Sequence, residues 1–218
     1  MILNQVNCCI LLVIGMVLGT TATVLPTEDS GQLYCSFSKG AWNPEDWFFV
    51  SLRDLPGTNK WIQKDGFIAN DGNTISMLLK KKFKGDLMIS STMAFADLQA
   101  PTIFIATKLG DLPKGGKEYD EDLEITLWHE GINVWRHTTV NGKSVFAKVA
   151  YYQFKLLKDT KYKLQVIKKG KEFSITVADH AFGYLADWLP DDFYAGIMAC
   201  EGVNSFYDFT IQTAKAAK

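Results

Sequence analysis

The stretch TKYKLQVIKKGKEFSITVA at 160–178 reads as two short strands around a tight turn. Tyr162, Leu164 and Val166 alternate with polar residues on the way in, and Phe173, Ile175 and Val177 do so on the way out. A period of two places each set on one face of an extended chain, and Lys168-Lys169-Gly170-Lys171 supplies the turn. The same grammar extends outward in both directions. Runs rich in β-branched and aromatic residues recur at 32–38, 47–52, 65–70, 74–79, 85–95, 102–107, 123–129, 132–138, 144–152, 161–168, 172–178, 194–200 and 205–212. Turn-forming clusters separate them, among them Asp71-Gly72-Asn73, Asn141-Gly142 and Gly202-Val203-Asn204. A weak helical pattern is confined to 181–189, and the Gly- and Pro-containing segment 109–118 reads as a long loop. So many strands exceed an immunoglobulin-like domain and predict an all-β fold, a two-sheet antiparallel jelly-roll sandwich.

Composition narrows what such a fold does. The 218 residues carry 23 basic and 24 acidic side chains, a formal net charge of −1, which excludes a strongly basic nucleic-acid binder. Hydrophobic residues at 47% against charged residues at 22% exclude a disordered chain. At this length one core buries roughly 70% of the unfolded surface, so no metal or cofactor is needed to hold the fold.

The N-terminal segment stands apart. Residues 10–18, ILLVIGMVL, form an apolar run followed by Thr20, Thr21 and Ala22. The run is too short to span a bilayer and its small-residue exit reads as a cleaved secretory signal, although no Lys or Arg precedes it; an uncleaved N-terminal anchor is the alternative. The expected organisation is a signal peptide at 1–22, a flexible segment at 23–31, a β-sandwich at 32–212 and a tail at 213–218. The expected location is secreted, extracellular or periplasmic, with no membrane attachment once the signal is cleaved. Removal of Cys8 and Cys9 with the signal leaves Cys35 and Cys200, one near each end of the mature chain. In an oxidising compartment such a pair is expected to form a disulfide, with two buried free thiols as the alternative.

The chemistry concentrates at 120–124, Asp-Glu-Asp-Leu-Glu, which runs into Ile125, Thr126, Leu127 and Trp128. Strict alternation puts Asp120, Asp122 and Glu124 on one face with Thr126 and Trp128, and turns Leu123, Ile125 and Leu127 to the core. Mutual repulsion among these carboxylates raises at least one pKa, as a general acid near neutral pH requires. The next strand sets Asn133, Trp135 and His137 on a single face. If the two polar faces belong to one sheet surface, Trp128, Asn133, Trp135, His137 and Glu124 line a groove. Flat aromatic platforms beside carboxylate and amide groups suit sugar rings, which offer apolar C–H faces and a hydroxyl rim. An acidic run ahead of a strand also serves as a solvated loop end. Calcium held by Asp120, Asp122 and loop carbonyls is a further cofactor reading.

The acidic alternating strand, the hairpin at 160–178 and the closing segment together resemble the concanavalin A-like lectin/glucanase superfamily. Phe193-Tyr194-Ala195-Gly196-Ile197 and Phe206-Tyr207-Asp208-Phe209-Thr210-Ile211 resemble the way its laminin G-like and sugar-hydrolase-like members end. In the laminarinase/lichenase family of that superfamily the catalytic strand reads Glu-x-Asp-x-Glu. The resemblance implies Asp120 as nucleophile, Asp122 as its assistant and Glu124 as acid/base. Asp120 stands where that pattern has Glu, which draws its carboxylate back by roughly 1.5 Å against the 5–5.5 Å separation a retaining mechanism wants. The leading expectation is therefore a secreted protein that binds an oligo- or polysaccharide on its concave sheet. A glycoside hydrolase using Asp120, Asp122 and Glu124 is one alternative, and a structural or protein-interaction domain is the other.

Other signals are thinner. His129, His137 and His180 have no Cys near them to build a zinc site, and no Gly-x-Ser-x-Gly or phosphate-binding Gly-rich loop occurs. Lys80, Lys81, Lys82 and Lys84 read as a solvated turn or a contact for an anionic polymer. Asp187, Asp191 and Asp192 are candidates for the groove rim. Glu201 is placed to reach a ligand, whereas Asn204 is expected to serve turn geometry.

Overall fold

In the computed structural model, residues 31–52, 61–70, 75–112 and 116–213 are described. The expected signal peptide, most of the 23–31 segment and the Asp71-Gly72-Asn73 turn lie outside them. Sixteen strands follow in chain order among the described residues. The first eight are β1 (Gln32–Ser36), β2 (Trp47–Ser51), β3 (Ile62–Lys64), β4 (Phe67–Asn70), β5 (Ile75–Lys84), β6 (Leu87–Phe95), β7 (Thr102–Asp111) and β8 (Lys117–Trp128). The others are β9 (Gly131–Val140), β10 (Lys143–Gln153), β11 (Tyr162–Lys169), β12 (Glu172–Val177), β13 (His180–Leu185), β14 (Asp192–Ala199), β15 (Asn204–Phe206) and β16 (Asp208–Thr213). A short 3-10 turn, Pro44–Asp46, precedes β2, and its cap is Asn43, whose side chain accepts from the Glu45 amide. No helix among the described residues is long and apolar enough to cross a membrane.

The strands build two sheets. A nine-stranded sheet runs β13-β12-β11-β6, and β6 then pairs with β15 along one part of its length and with β16 along another. β15 continues to β4 and β3, and β16 to β1. The second sheet has seven strands, β10, β9, β8, β7, β14, β5 and β2. Between the two lies the main core, where Ile89, Val166, Phe173, Ile175 and Phe209 of the first sheet pack with Met77, Ile103, Leu123, Ile125 and Ile197 of the second. Leu123, Ile125 and Leu127 do face the core, as the alternation of β8 predicts. The fold is an all-β, two-sheet antiparallel jelly-roll sandwich.

The hairpin at 160–178 forms as read, with Leu164 opposite Val177 and Val166 opposite Ile175. The Asn141-Gly142 turn is equally literal. Both residues are left-handed, at φ 52° and 74°, which is the conformation a two-residue hairpin loop demands.

Three expectations need correction. Residues 181–189 are not a helix: His180–Leu185 is strand β13, paired antiparallel to β12 along its whole length. The long loop expected at 109–118 is replaced by the ends of β7 and β8, which pair as far as Asp111 opposite Lys117. Ladder hydrogen bonds outweigh local Gly content there. Finally, no disulfide joins Cys35 and Cys200. Cys35 sits on β1, whose partner is β16, while Cys200 follows β14 in the other sheet, so the two face different clefts. The first and last strands are joined by their own ladder, Cys35 opposite Phe209, without a covalent bridge.

The seven-stranded sheet does more than stack on its partner. β8 pairs with β7, and its first residues also pair in parallel with β2, Val50 opposite Lys117 and Ser51 opposite Glu118. The sequence of pairings β8-β7-β14-β5-β2 thus returns to β8 and closes a small ring. Its interior is a second core of Val50, Leu52, Leu78, Phe104, Ala106, Tyr119 and Met198. Backbone approach on this ring is close at Gly196, where an added Cβ would lie 1.9 Å from the Met77 carbonyl oxygen. Such an overlap with main chain forces a shift of β14 against β5. Gly196→Ala is expected to cost at least about 1–3 kcal/mol, measured by urea unfolding, and a variant as stable as wild type contradicts this packing.

Candidate functional site: a cleft on the seven-stranded sheet

On the face of the sheet away from the main core, the second core fills the half built by β2, β5, β14 and the early part of β8. The half over β8, β9 and β10 stays open. There a cleft of about 320 Å³ is lined by Glu124, Thr126, Trp128, Asn133, Trp135, Phe146, Lys148, Ala100, Cys200 and Glu201. Its floor comes from register. β8 and β9 pair with Glu124 opposite Trp135 and Thr126 opposite Asn133. β10 adds Lys148 opposite Trp135 and Phe146 opposite His137. A smaller cleft of about 170 Å³ continues along the same face, shares Trp128, Asn133 and Lys148, and adds Tyr151, Tyr152, Gln153 and Glu130.

Glu124, Trp128, Asn133 and Trp135 therefore meet as the sequence predicts. Asp120, Asp122 and His137 do not join them in the cleft. The pairing of β7 with β8 skips one residue on each strand: Ala106 faces Asp122, Lys108 faces Glu121 and Leu109 faces Tyr119, so Thr107 and Asp120 have no opposite number. Beyond this irregularity Tyr119, not Asp120, shares the face of Asp122, with its ring 4.9 Å from Phe104 and 5.1 Å from His137. Asp120 instead forms an ion pair with Lys108 at 2.5 Å, away from the cleft.

Asp122 and His137 are the next pair along the same face of β8 and β9, beside Glu124 and Trp135, and are completely buried. His137 Nδ1 and Asp122 Oδ2 are 2.8 Å apart, with the Tyr119 and Phe146 rings against the imidazole. Burial, reinforced by Glu121, pushes the Asp122 carboxyl well above the usual range. Glu124 is also pushed well above it, by burial first and by Asp122 second. It is 5% exposed, and its Oε1 is buried with no hydrogen-bond partner. Its neighbour Thr126 is satisfied by Thr102, 2.9 Å between hydroxyl oxygens.

No group of three or more His, Cys, Asp or Glu among the described residues is placed to hold a metal ion. Asp122 is engaged by His137 and Asp120 by Lys108, so the calcium reading loses both of its side chains. The other rim candidates also separate. Glu201 lines the cleft, whereas Asn204 is buried and donates to the Cys200 and Gly202 carbonyls, closing its turn. Asp192 pairs with Lys82 at 2.7 Å, Asp191 lies 3.8 Å from Lys171, and Trp188 packs under Arg136. Lys80 and Lys81 border a different pocket of about 630 Å³, beside Cys35, Trp42 and Trp47. Burial and then Asp46 push the Cys35 thiol up to about 11, so it is not a reactive thiolate.

Sequence reasoning missed Phe146, Lys148 and Cys200 as cleft residues. The signal for the first two is the Asn141-Gly142 turn: a two-residue loop fixes Val140 opposite Lys143, and counting back places Phe146 on His137 and Lys148 on Trp135. Lys148 indeed lies over the Trp135 ring, its Nζ 5.0 Å from the centroid.

No protein-family model matches the chain, and no curated protein sequence does. Solved structures do. β-Agarase A from Zobellia galactanivorans superposes with a TM-score of 0.63 at 8% identity, over 90% of this chain and 99% of that one. The carbohydrate-binding module CBM66 from Bacillus subtilis gives 0.57 at 14% identity, over 77% and 96%. This is the concanavalin A-like jelly roll. The exoplasmic/lumenal domain of VIP36, in its Ca2+/Man3GlcNAc-bound form, shares the jelly roll at a TM-score of 0.55 and 12% identity, over 84% and 90%. At these identities the likeness concerns the fold.

The buried Glu124 carboxyl has a stability consequence with a definite sign. Its folded pKa lies above its unfolded value, so the neutral form's contribution is complete below about pH 4.5 and is lost as pH rises toward the folded value. Wild type is expected to lose stability relative to Glu124→Gln over that range, with a limiting slope of about 1.4 kcal/mol per pH unit. Urea unfolding of both proteins across pH measures it. A difference that stays flat contradicts a buried Glu124.

Proposed function

We propose that this protein is a secreted carbohydrate-binding β-sandwich that holds a glycan in the cleft over β8, β9 and β10 without hydrolysing it. The observation that carries the reading is the cleft itself: Trp128 and Trp135 as flat apolar platforms, with Glu124, Thr126, Asn133 and Lys148 as polar groups between and beside them. A sugar ring needs that combination, an apolar face to bury and donors and acceptors at its hydroxyl rim. The fold supports it by analogy, since β-agarase A, CBM66 and the VIP36 domain share the jelly roll. Fold likeness alone does not choose between binding and catalysis.

The displaced carboxylate favours binding. A retaining hydrolase needs a nucleophile about 5–5.5 Å from its acid/base on the same face. Asp120, which would have to supply it, is turned to Lys108, and Tyr119 takes its face. Export is supported by the apolar run at 10–18 and its small-residue exit.

A glycan array with the 23–218 protein, paired with a reducing-sugar release assay on the glycans that bind, tests the reading. Binding without release is the expected result, and release that depends on Glu124 overturns it. Trp135→Ala is expected to weaken the bound glycan by about tenfold, the equivalent of about 1.4 kcal/mol, with little change in folding stability because the ring is only half-buried. Titration calorimetry beside thermal unfolding measures both.

A further inference from the structure

Glu124 is the one polar residue lining the cleft with a buried side-chain oxygen that bonds to nothing in the protein. An unsatisfied buried acceptor costs free energy, and at the floor of an open cleft a ligand is one partner that can complete it. Lys148 lines the same cleft, but Glu124 forms no ion pair among the described residues. On β8 the neighbour on the same face is Asp122, an acid; across on β9 are Trp135 and, one pair further, His137, already engaged by Asp122. On β7 the opposite residue is Phe104. From the β14–β15 connection come Cys200 and Glu201, and from β10 comes Lys148, whose ammonium lies over the Trp135 ring.

We propose that Glu124 is a neutral carboxylic acid on the cleft floor, and that its O–H donates a hydrogen bond that holds a hydroxyl-bearing glycan in the cleft. This deepens the binding role argued above and rests on it. A neutral carboxyl presents one donor and one carbonyl acceptor side by side, matching two adjacent hydroxyls or a hydroxyl and a ring oxygen. An ionised one presents acceptors only and loses the donor. The raised pKa of Glu124, from burial and from Asp122, is consistent with the geometry. Glutamine keeps the same donor–acceptor pair and cannot ionise, so it is the informative replacement.

The test has two arms. In the first, carbon-13 NMR follows the Glu124 carboxyl carbon through a pH titration, assigned by its absence from Glu124→Gln. The expected signal stays in the protonated range well above the ordinary titration of an exposed glutamate. Ionisation in the ordinary range overturns the proposal whether or not any sugar binds. In the second, neutral oligoagarose and mannose-type oligosaccharides are titrated on wild type, Glu124→Gln and Glu124→Ala. Wild-type affinity for a neutral sugar is expected to fall at least tenfold as pH rises through the midpoint seen by NMR. Glu124→Gln is expected to bind within about threefold of wild type at low pH and to lose that pH dependence. Glu124→Ala is expected to bind at least tenfold more weakly than wild type at low pH and to show no such pH dependence. A pH dependence that survives in Glu124→Gln assigns it to Lys148, Cys200, Glu201 or the Asp122–His137 pair, and overturns the proposal. Failure of every sugar to bind, with a carboxyl that stays protonated, removes the glycan reading and the donor role while leaving the neutral acid in place.

Discussion

Strand β8 pairs with β7 on one side and β9 on the other, and one skipped residue in the first ladder decides what the second can display. From Asp122 onward the alternation is regular: Leu123, Ile125 and Leu127 enter the main core while Glu124, Thr126 and Trp128 face the cleft. At Asp120 the ladder skips, and the residues before it change faces. Had the alternation continued, a charged aspartate would have stood beside Phe104 and Met198 in the second core. The skip puts Tyr119 there, where its ring is fully buried and meets Phe104, and leaves Asp120 a partner in Lys108 at the surface. Burying an unpaired carboxylate in that core is far more costly than one irregularity in a β-ladder, which is why the irregularity persists.

The second core is what shortens the binding face. A jelly roll with an open sheet would present every strand of it to a ligand. Here β2 closes on the start of β8, and the ring fills with Val50, Leu78, Phe104 and Met198. The cleft is left to the last three strands on the other side, and its aromatic residues are concentrated there. Asp122 and His137 sit at the boundary, sealed between the Tyr119 and Phe146 rings, so that the polar floor of the cleft passes into the apolar interior through a satisfied pair.

Much of this was legible along the chain. The hairpins at 160–178 and around Asn141-Gly142 follow from alternation and from two-residue turns, because both are local rules. Four cleft residues, Glu124, Trp128, Asn133 and Trp135, were legible for the same reason: each is an even number of residues from the next along its strand. Strand His180–Leu185 is not evident from the sequence because Ala181, Gly183 and Leu185 alternate with its aromatic residues and give it no β-branched residue; pairing with β12 decides it. The cysteines misread because proximity in sequence order to the two ends says nothing about which sheet each strand enters.

The amino-acid sequence by itself determined an all-β sandwich, the core faces of its long strands and the collection of aromatic and polar groups on β8 and β9. These follow from a period of two and from turn chemistry, which act over a few residues. Only the tertiary structure decided which carboxylate reaches the cleft. That choice turns on the skip at Thr107 and Asp120 and on the closure of β2 against β8, contacts between segments far apart in the chain whose energy lies in what they bury. A pattern of acids three deep in the sequence became, once packed, a surface ion pair, a sealed pair with histidine and one buried acid facing the cleft.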